Sequence, residues 1–102
     1  MRTSPSIVPH GADRDTYLVL EDFGHHGLVW RETGVRDAER ETLIRDLAYG
    51  QYRQPVCIVA FNIAEGWSRD VTVEIADALR RRHGDFGELS ASALDFLEAN
   101  RR

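Results

Sequence analysis

Six side chains that follow an apolar segment are the residues of this chain best suited to chemistry or recognition. They are Asn62, Glu65, Trp67, Ser68, Arg69 and Asp70. We predict that a buried strand ends just before this turn and that Ser68 caps the helix that follows. Backbone N–H groups at the start of a helix favour an anion, so the turn is a candidate site for a small anionic ligand or a partner. A purely structural interpretation is also open: Asp70 complements the helix dipole, Arg69 pairs with Glu65, and Trp67 packs at the edge of the core.

The spacing of these residues matches no cofactor fingerprint. The turn contains one glycine, Gly66, whereas a P-loop needs spaced glycines followed by Lys and Ser or Thr. Ser68 and His83 lie at opposite ends of the predicted helix, about 20 Å apart at 1.5 Å per residue, so they cannot form a catalytic dyad in one chain. We therefore predict no cofactor and no catalytic residue. A small enzyme or small-molecule site at the turn 62–70, with Glu65 as a lone base, remains the alternative.

Metal binding is not predicted. His25 and His26 lie beside Glu21 and Asp22, which is suitable ligand chemistry, but adjacent loop histidines rarely point at one ion. Cys57 is the single cysteine, which excludes an internal disulfide, and its place in an apolar segment predicts a buried side chain.

Nucleic acid is a disfavoured partner. The 102 residues include 13 basic and 17 acidic side chains, giving a net charge of −4, so no global basic field exists. Arg80, Arg81 and Arg82 form a basic run at the predicted end of a helix, where the helix dipole alone favours them. A regulator that contacts nucleic acid through this run is the weakest alternative.

The size of the chain predicts one domain. Residues 1–15 have the composition of a disordered tail, and residues 16–100 provide one core, since 42% of the residues are hydrophobic. No apolar run approaches the roughly 18 residues that cross a bilayer, and residues 1–15 lack the apolar core of a secretory signal. We predict a cytoplasmic protein with no membrane contact.

Periodicity predicts the elements that position the turn. They are strands at residues 16–23, 28–33 and 56–63, and helices at residues 37–49 and 68–83 and from residue 90 or 92 onward. In the last helix, Leu94 and Leu97 are predicted to face inward. The order ββαβαα indicates an α+β fold with about three strands and two to three helices. A right-handed crossover favours the strand order 2-1-3 with antiparallel neighbours, and 1-2-3 is the alternative.

The third strand is predicted to be apolar on both faces. Val56, Ile58 and Ala60 share one face, while Val59 and its alternate neighbours share the other. If helices cover one face, the other needs the C-terminal helix or a second copy of the chain. This pattern favours a homodimer.

Three segments carry a resemblance to a known family: YLVLEDFG at 17–24, VWRET at 29–33 and VAFNIAEGWSRDV at 59–71. The chain resembles a family of short bacterial proteins in which an AFNxAEGWSRDVS-like segment precedes a helix ending in arginines. Thr72 stands where that pattern has Ser. The family has no established activity, cofactor or partner, so the resemblance implies a bacterial cytoplasmic protein and no catalytic role.

The leading functional hypothesis is a small non-enzymatic domain that acts by binding another protein or by self-association. The turn 62–70 and the sheet surface are the predicted contact regions. The hypothesis follows from the lack of any nucleophile and base pairing, metal-ligand cluster or cofactor fingerprint in the sequence.

Overall fold

Four antiparallel strands form the sheet in the described part of the chain. The computed structural model describes residues 15–32 and 40–101. The strands are β1 (Thr16–Asp22), β2 (Leu28–Glu32), β3 (Pro55–Asn62) and β4 (Trp67–Asp70), and the helices are α1 (Arg40–Ala48), α2 (Thr72–Arg81) and α3 (Ala91–Ala99). The strand order is β2-β1-β3-β4. The predicted α+β class and the antiparallel 2-1-3 arrangement are confirmed, and the predicted count of about three strands is corrected to four.

The extra strand, β4, replaces what was predicted to be the first turn of a helix. Gly66 adopts φ +74°, and its N–H donates to the carbonyl of Asn62 at 2.8 Å, so the chain reverses. Residues 67–70 then pair with β3, with Ser68 opposite Phe61. The prediction that Ser68 caps a helix is therefore wrong, since α2 begins at Thr72.

All three helices cover one face of the sheet. The core contains Tyr17 and Val19 from β1 together with Ile58 and Ala60 from β3, because side chains alternate between the two faces of a strand. The helices contribute apolar stripes at helical spacing, which are Leu43, Ile44, Leu47 and Ala48 of α1, Ile75, Ala76, Ala78 and Leu79 of α2, and Ala93 and Phe96 of α3. The described helices thus bury this face of the sheet, and we call it the helix face.

The helix termini agree in part with their sequence signals. Gly50 follows α1 with φ +78°, and the hydroxyl of Ser90 accepts a hydrogen bond from the N–H of Ala93 at 3.1 Å, as an N-cap does. Leu94 was predicted to face inward but is 51% exposed, because Ala93 and Phe96 occupy the buried positions of α3. The predicted N-terminal tail before Asp15 and the predicted helix start at residue 37 lie outside the described residues. No described helix is long and apolar enough to span a membrane.

Candidate functional site

The face of the sheet opposite the helices is apolar at its centre, and we call it the open face because no described helix covers it. Its side chains alternate with the core residues along each strand. The apolar members are Leu18 and Leu20 of β1, Leu28 and Trp30 of β2, and Cys57, Val59 and Phe61 of β3. None of them is buried, and Trp30 is 48% exposed.

The strand register arranges these side chains in rows across the sheet. One row runs Trp30, Leu20, Cys57, and the next runs Glu32, Leu18, Val59, Asp70. Side chains in one row are direct neighbours about 5 Å apart, so the apolar groups form one continuous patch. The second row crosses all four strands, with an apolar pair at the centre and a carboxylate on each edge strand.

Carboxylates are the charged groups that the described strands place on the open face. They are Asp22, Glu32 and Asp70. The hydroxyl and backbone N–H of Thr72 donate to Asp70 at 2.6 and 2.8 Å, and these hydrogen bonds hold the pKa of the Asp70 carboxyl below its usual value. The Asp70 carboxyl is therefore a stable negative charge at neutral pH.

Three residues of the predicted site hold the turn between β3 and β4 together. The side chain of Asn62 is buried, accepts from the N–H of Glu65 at 2.8 Å and donates to the Asp15 carboxylate at 3.2 Å. Glu65 accepts from the indole N–H of Trp67 at 2.7 Å, and the Trp67 ring packs against the core. These groups bond to one another within the turn, and this agrees with the structural interpretation of Trp67.

The other three predicted residues separate onto the two faces of β4. Arg69 lies on the helix face and pairs with Glu74 of α2 at 2.5 Å, so the predicted pairing of Arg69 with Glu65 is wrong. Ser68 and Asp70 lie on the open face and are exposed. The structure therefore does not bring the six predicted residues together in one cavity.

Cys57 is half-buried on the open face, which corrects the prediction of a buried thiol. Its Sγ lies 3.6 Å from the Asp70 carboxylate, because β3 and β4 are neighbours. A surface concavity nearby reaches one residue of the predicted cluster, Asp70, and is also lined by Val56, Cys57, Thr72, Val73, Glu74 and Asn100. Its position at the start of β3 places it away from the turn 62–66.

The histidine pair does not gather metal ligands. His25 and His26 lie in an exposed 3-10 turn with their ring centroids 4.1 Å apart, and Glu21 points to the other side of β1. Asp22 instead accepts from the N–H of Gly24 at 2.7 Å. Among residues 15–32 and 40–101, no group of three or more His, Cys, Asp or Glu side chains is placed to bind a metal ion.

Two arginines of the basic run at the end of α2 are paired. Arg80 binds Asp77 at 2.8 Å, and Arg82 binds Glu41 and Asp85. The carboxylates around Arg82 raise the pKa of its guanidinium further. Arg80 also donates to the carbonyl of Leu97 in α3 at 3.0 Å, so these two arginines join α2 to α3 and to α1.

A buried carboxylate, Glu21, links β1 and β2 to the loop after α1, and this link was not predicted from the sequence. Glu21 is fully buried on the helix face and accepts from Arg31 Nη1 at 3.1 Å and from the N–H of Arg53 at 2.7 Å. Arg31 also lies 4.8 Å over the Tyr52 ring and donates to the carbonyl of Gln51 at 3.2 Å. This network fixes β2 to the rest of the domain through side chains on the helix face, and none of its members lies on the open face.

The apolar part of the open face has a sequence signal in β1. In TYLVLED, Leu18 and Leu20 alternate with Tyr17 and Val19, so β1 is apolar on both faces, as was noted for β3. Two adjacent central strands with this pattern predict an apolar surface on the open face in addition to the core on the helix face.

A scan against protein-family models, a search of curated proteins and a search of solved structures found no match.

Proposed function

We propose that this protein is a non-enzymatic binding domain whose open face contacts another protein. The observation that carries the proposal is the apolar patch of Leu18, Leu20, Trp30, Val59 and Phe61 on a sheet whose other face already holds the core. A contiguous apolar patch with a polar rim is typical of an interaction surface, because leaving it in water is unfavourable.

The composition of the patch resembles the centre of a protein interface. Tryptophan is enriched at such centres because it buries a large area with few rotatable bonds, and Trp30 is half exposed on an edge strand. Leu20 and Val59 lie on the two central strands, where the flanking strands hold the backbone rigid. A rigid apolar surface binds with a small loss of conformational entropy.

The small-molecule alternative at the turn 62–70 has less support. The polar groups of Asn62, Glu65 and Trp67 already bond to one another, and Arg69 pairs with Glu74. A recognition site needs convergent polar groups that a ligand can engage, whereas these groups would first have to break their present hydrogen bonds. The cytoplasmic location and bacterial origin stay predictions from the sequence.

Site-specific photo-crosslinking tests the proposal. A photoreactive phenylalanine analogue replaces Trp30 on the open face, and in a matched control it replaces Leu94, an apolar residue of similar exposure on α3. We expect a defined crosslinked protein from position 30 and not from position 94. The complex reconstituted from the two purified proteins is expected to be lost in Leu20→Asp and kept in Leu94→Asp.

Three results would change the proposal. Identical crosslinks from both positions, or reconstituted binding that Leu20→Asp leaves intact, would remove the open face as the contact surface. A dimer of this chain that Leu20→Asp dissociates, measured by sedimentation velocity, would identify a second copy as the occupant. Far-UV circular dichroism of each variant separates lost binding from lost folding.

A further inference from the structure

We infer that the partner of the open face is an amphipathic helix whose apolar stripe is flanked on both sides by Lys or Arg. The inference rests on the proposed function of this face and adds the chemistry of the partner. It comes from the row Glu32, Leu18, Val59, Asp70, which places one carboxylate at each edge of the apolar centre.

The width of this row suits one helix. The row spans three strand spacings, which is about 14 Å between the outer strands. A helix with its side chains is about 10–12 Å across, so a helix lying along the strands would cover Leu18 and Val59. Lys and Arg on its two flanks could then extend to Glu32 and Asp70, because their long aliphatic stems lie along apolar surface while the charged ends remain in water.

The charges of the edge strands are sorted by face. On β2, Arg31 lies on the helix face and binds Glu21, while Glu32 lies on the open face. On β4, Arg69 lies on the helix face and binds Glu74, while Asp70 lies on the open face. The described strands place no basic side chain on the open face, and we therefore assign its charge complement to the partner.

A second copy of this chain fits the open face less well than a basic helix does. Face-to-face packing of two copies would bring Asp22, Glu32 and Asp70 of each copy toward an interface that offers no basic side chain from the described strands. Like charges brought together at an interface oppose association. This charge pattern favours a different protein as the occupant of the open face.

Designed peptides of about 18 residues, which form a helix of about 27 Å, are the probes. One has a leucine stripe flanked by lysines, the second has the same stripe flanked by glutamates, and the third has lysines with serines in place of the leucines. Fluorescence anisotropy of the labelled peptides measures affinity at several salt concentrations. We expect the first peptide to bind at least tenfold more tightly than either of the others.

Neutral isosteres of the three open-face carboxylates remove their charges and keep the shapes of the side chains. Asp22→Asn and Asp70→Asn keep the side-chain oxygens that accept from Gly24 and Thr72, and Glu32→Gln keeps the shape of that side chain. We expect the triple variant to bind the lysine-flanked peptide about tenfold more weakly, because each exposed ion pair contributes a factor of about two. Its affinity should also depend less on salt.

A second triple variant controls for the loss of three negative charges. Asp85→Asn, Glu88→Gln and Glu98→Gln remove exposed carboxylates from α3 and from the segment that precedes it, among the elements that pack on the helix face. We expect this control variant to keep wild-type affinity for the lysine-flanked peptide. Equal weakening in the two triple variants would show that net charge alone attracts the peptide, and this would overturn the inference.

The remaining outcomes separate the inference from the proposed function. If both leucine peptides bind equally and Leu20→Asp abolishes both, the open face is a binding surface, but the basic flanks are wrong. If Leu20→Asp leaves all peptide binding unchanged, the proposed function fails as well. If the serine peptide binds as tightly as the lysine-flanked leucine peptide, binding comes from charge attraction alone and the inferred apolar stripe is wrong. A dimer held by the open face would identify a second copy of the chain as the occupant of this surface.

Discussion

Replacing Arg31 with methionine should destabilise the protein more than its exposed position suggests. The Arg31 side chain is 49% exposed, but its partner, Glu21, is completely buried. Without the guanidinium, the Glu21 carboxylate keeps the Arg53 N–H as its donor and loses its countercharge. Removing one partner of a buried ion pair costs about 3–5 kcal/mol. Since water can replace part of a half-exposed arginine, we expect a loss of about 2 kcal/mol.

Urea denaturation followed by far-UV circular dichroism measures this loss. The expected change corresponds to a fall of about 10 °C in the melting temperature of a domain of this size. Arg69→Met is the matched control, because Arg69 lies on the other edge strand and its ion pair with Glu74 is exposed on both sides. We expect this control to change stability by less than about 0.5 kcal/mol.

A double variant tests the physical reason. In Arg31→Met with Glu21→Gln, the amide oxygen still accepts from the Arg53 N–H and no charge is buried. An unpaired amide is less costly to bury than an unpaired carboxylate, so the double variant should be more stable than Arg31→Met alone. The reasoning is refuted if the double variant is equally or less stable, or if Arg31→Met and Arg69→Met lose the same free energy of unfolding.

Three further predictions concern the junctions between strands and helices. Thr72→Val should cost about 2 kcal/mol in urea denaturation, because the buried N–H of Ile58 loses the hydroxyl that accepts from it at 2.8 Å, whereas Thr72→Ser should lose much less. Gly50→Ala should also cost about 2 kcal/mol in calorimetry, because φ is +78° and the new Cβ would lie 3.0 Å from the Cβ of Ser90. The ionised Asp70 carboxyl stabilises the fold at pH values above its ordinary pKa, and this stabilisation is lost as the pH falls through its lowered folded pKa. When the pH is lowered below about 4, the free energy of unfolding should therefore fall less in Asp70→Asn than in the wild type.

Contradicting results for these three are equally specific. Equal stability of the valine and serine variants at position 72 would show that the hydroxyl of Thr72 does not stabilise this junction. A Gly50→Ala variant as stable as the wild type would show that the chain relaxes without strain. Parallel stability curves for the wild type and Asp70→Asn between about pH 2 and pH 5 would show that the Thr72 hydrogen bonds do not favour the charged form.

The elements that the sequence predicted well are decided by neighbouring residues. The apolar stripe of α1 and the cap at Ser90 depend on side chains within a few positions of each other. The turn glycines Gly24 and Gly27 likewise separate β1 from β2 within a short segment. Local patterns were therefore sufficient to separate β1 from β2 and to predict the start of α3.

β4 was missed because its assignment depends on backbone pairing with β3 and not on its own side chains. Ser68 and Asp70 are residue types that start helices, and Trp67 suits either structure. The pairing with β3 makes Ser68 a strand residue, while Asp70 still bonds to the first residue of α2. Tertiary hydrogen bonding thus moved the helix start from Ser68 to Thr72.

The Glu21 network could not be predicted without the register of β1 and β2. Glu21 lies opposite Val29, and Arg31 lies opposite Val19, so the two charged residues are diagonal neighbours on the helix face. The alternation in β1 places Glu21 with Tyr17 and Val19, which indicates burial, but does not identify the partner. The distribution of acids on the open face depends on the same register.

The strand order β2-β1-β3-β4 also has a consequence for how fast the chain folds. β1 with β2 and β3 with β4 are hairpins of adjacent segments, whereas β1 and β3 are joined across the whole of α1. Closing that long loop is the entropically expensive step, so we expect the rate of folding to depend on the β1–β3 pairing. Substitutions at Leu18 or Val59 should then slow folding, while substitutions in β4 should chiefly speed unfolding. The two central strands that present the open face would thus also form the folding nucleus.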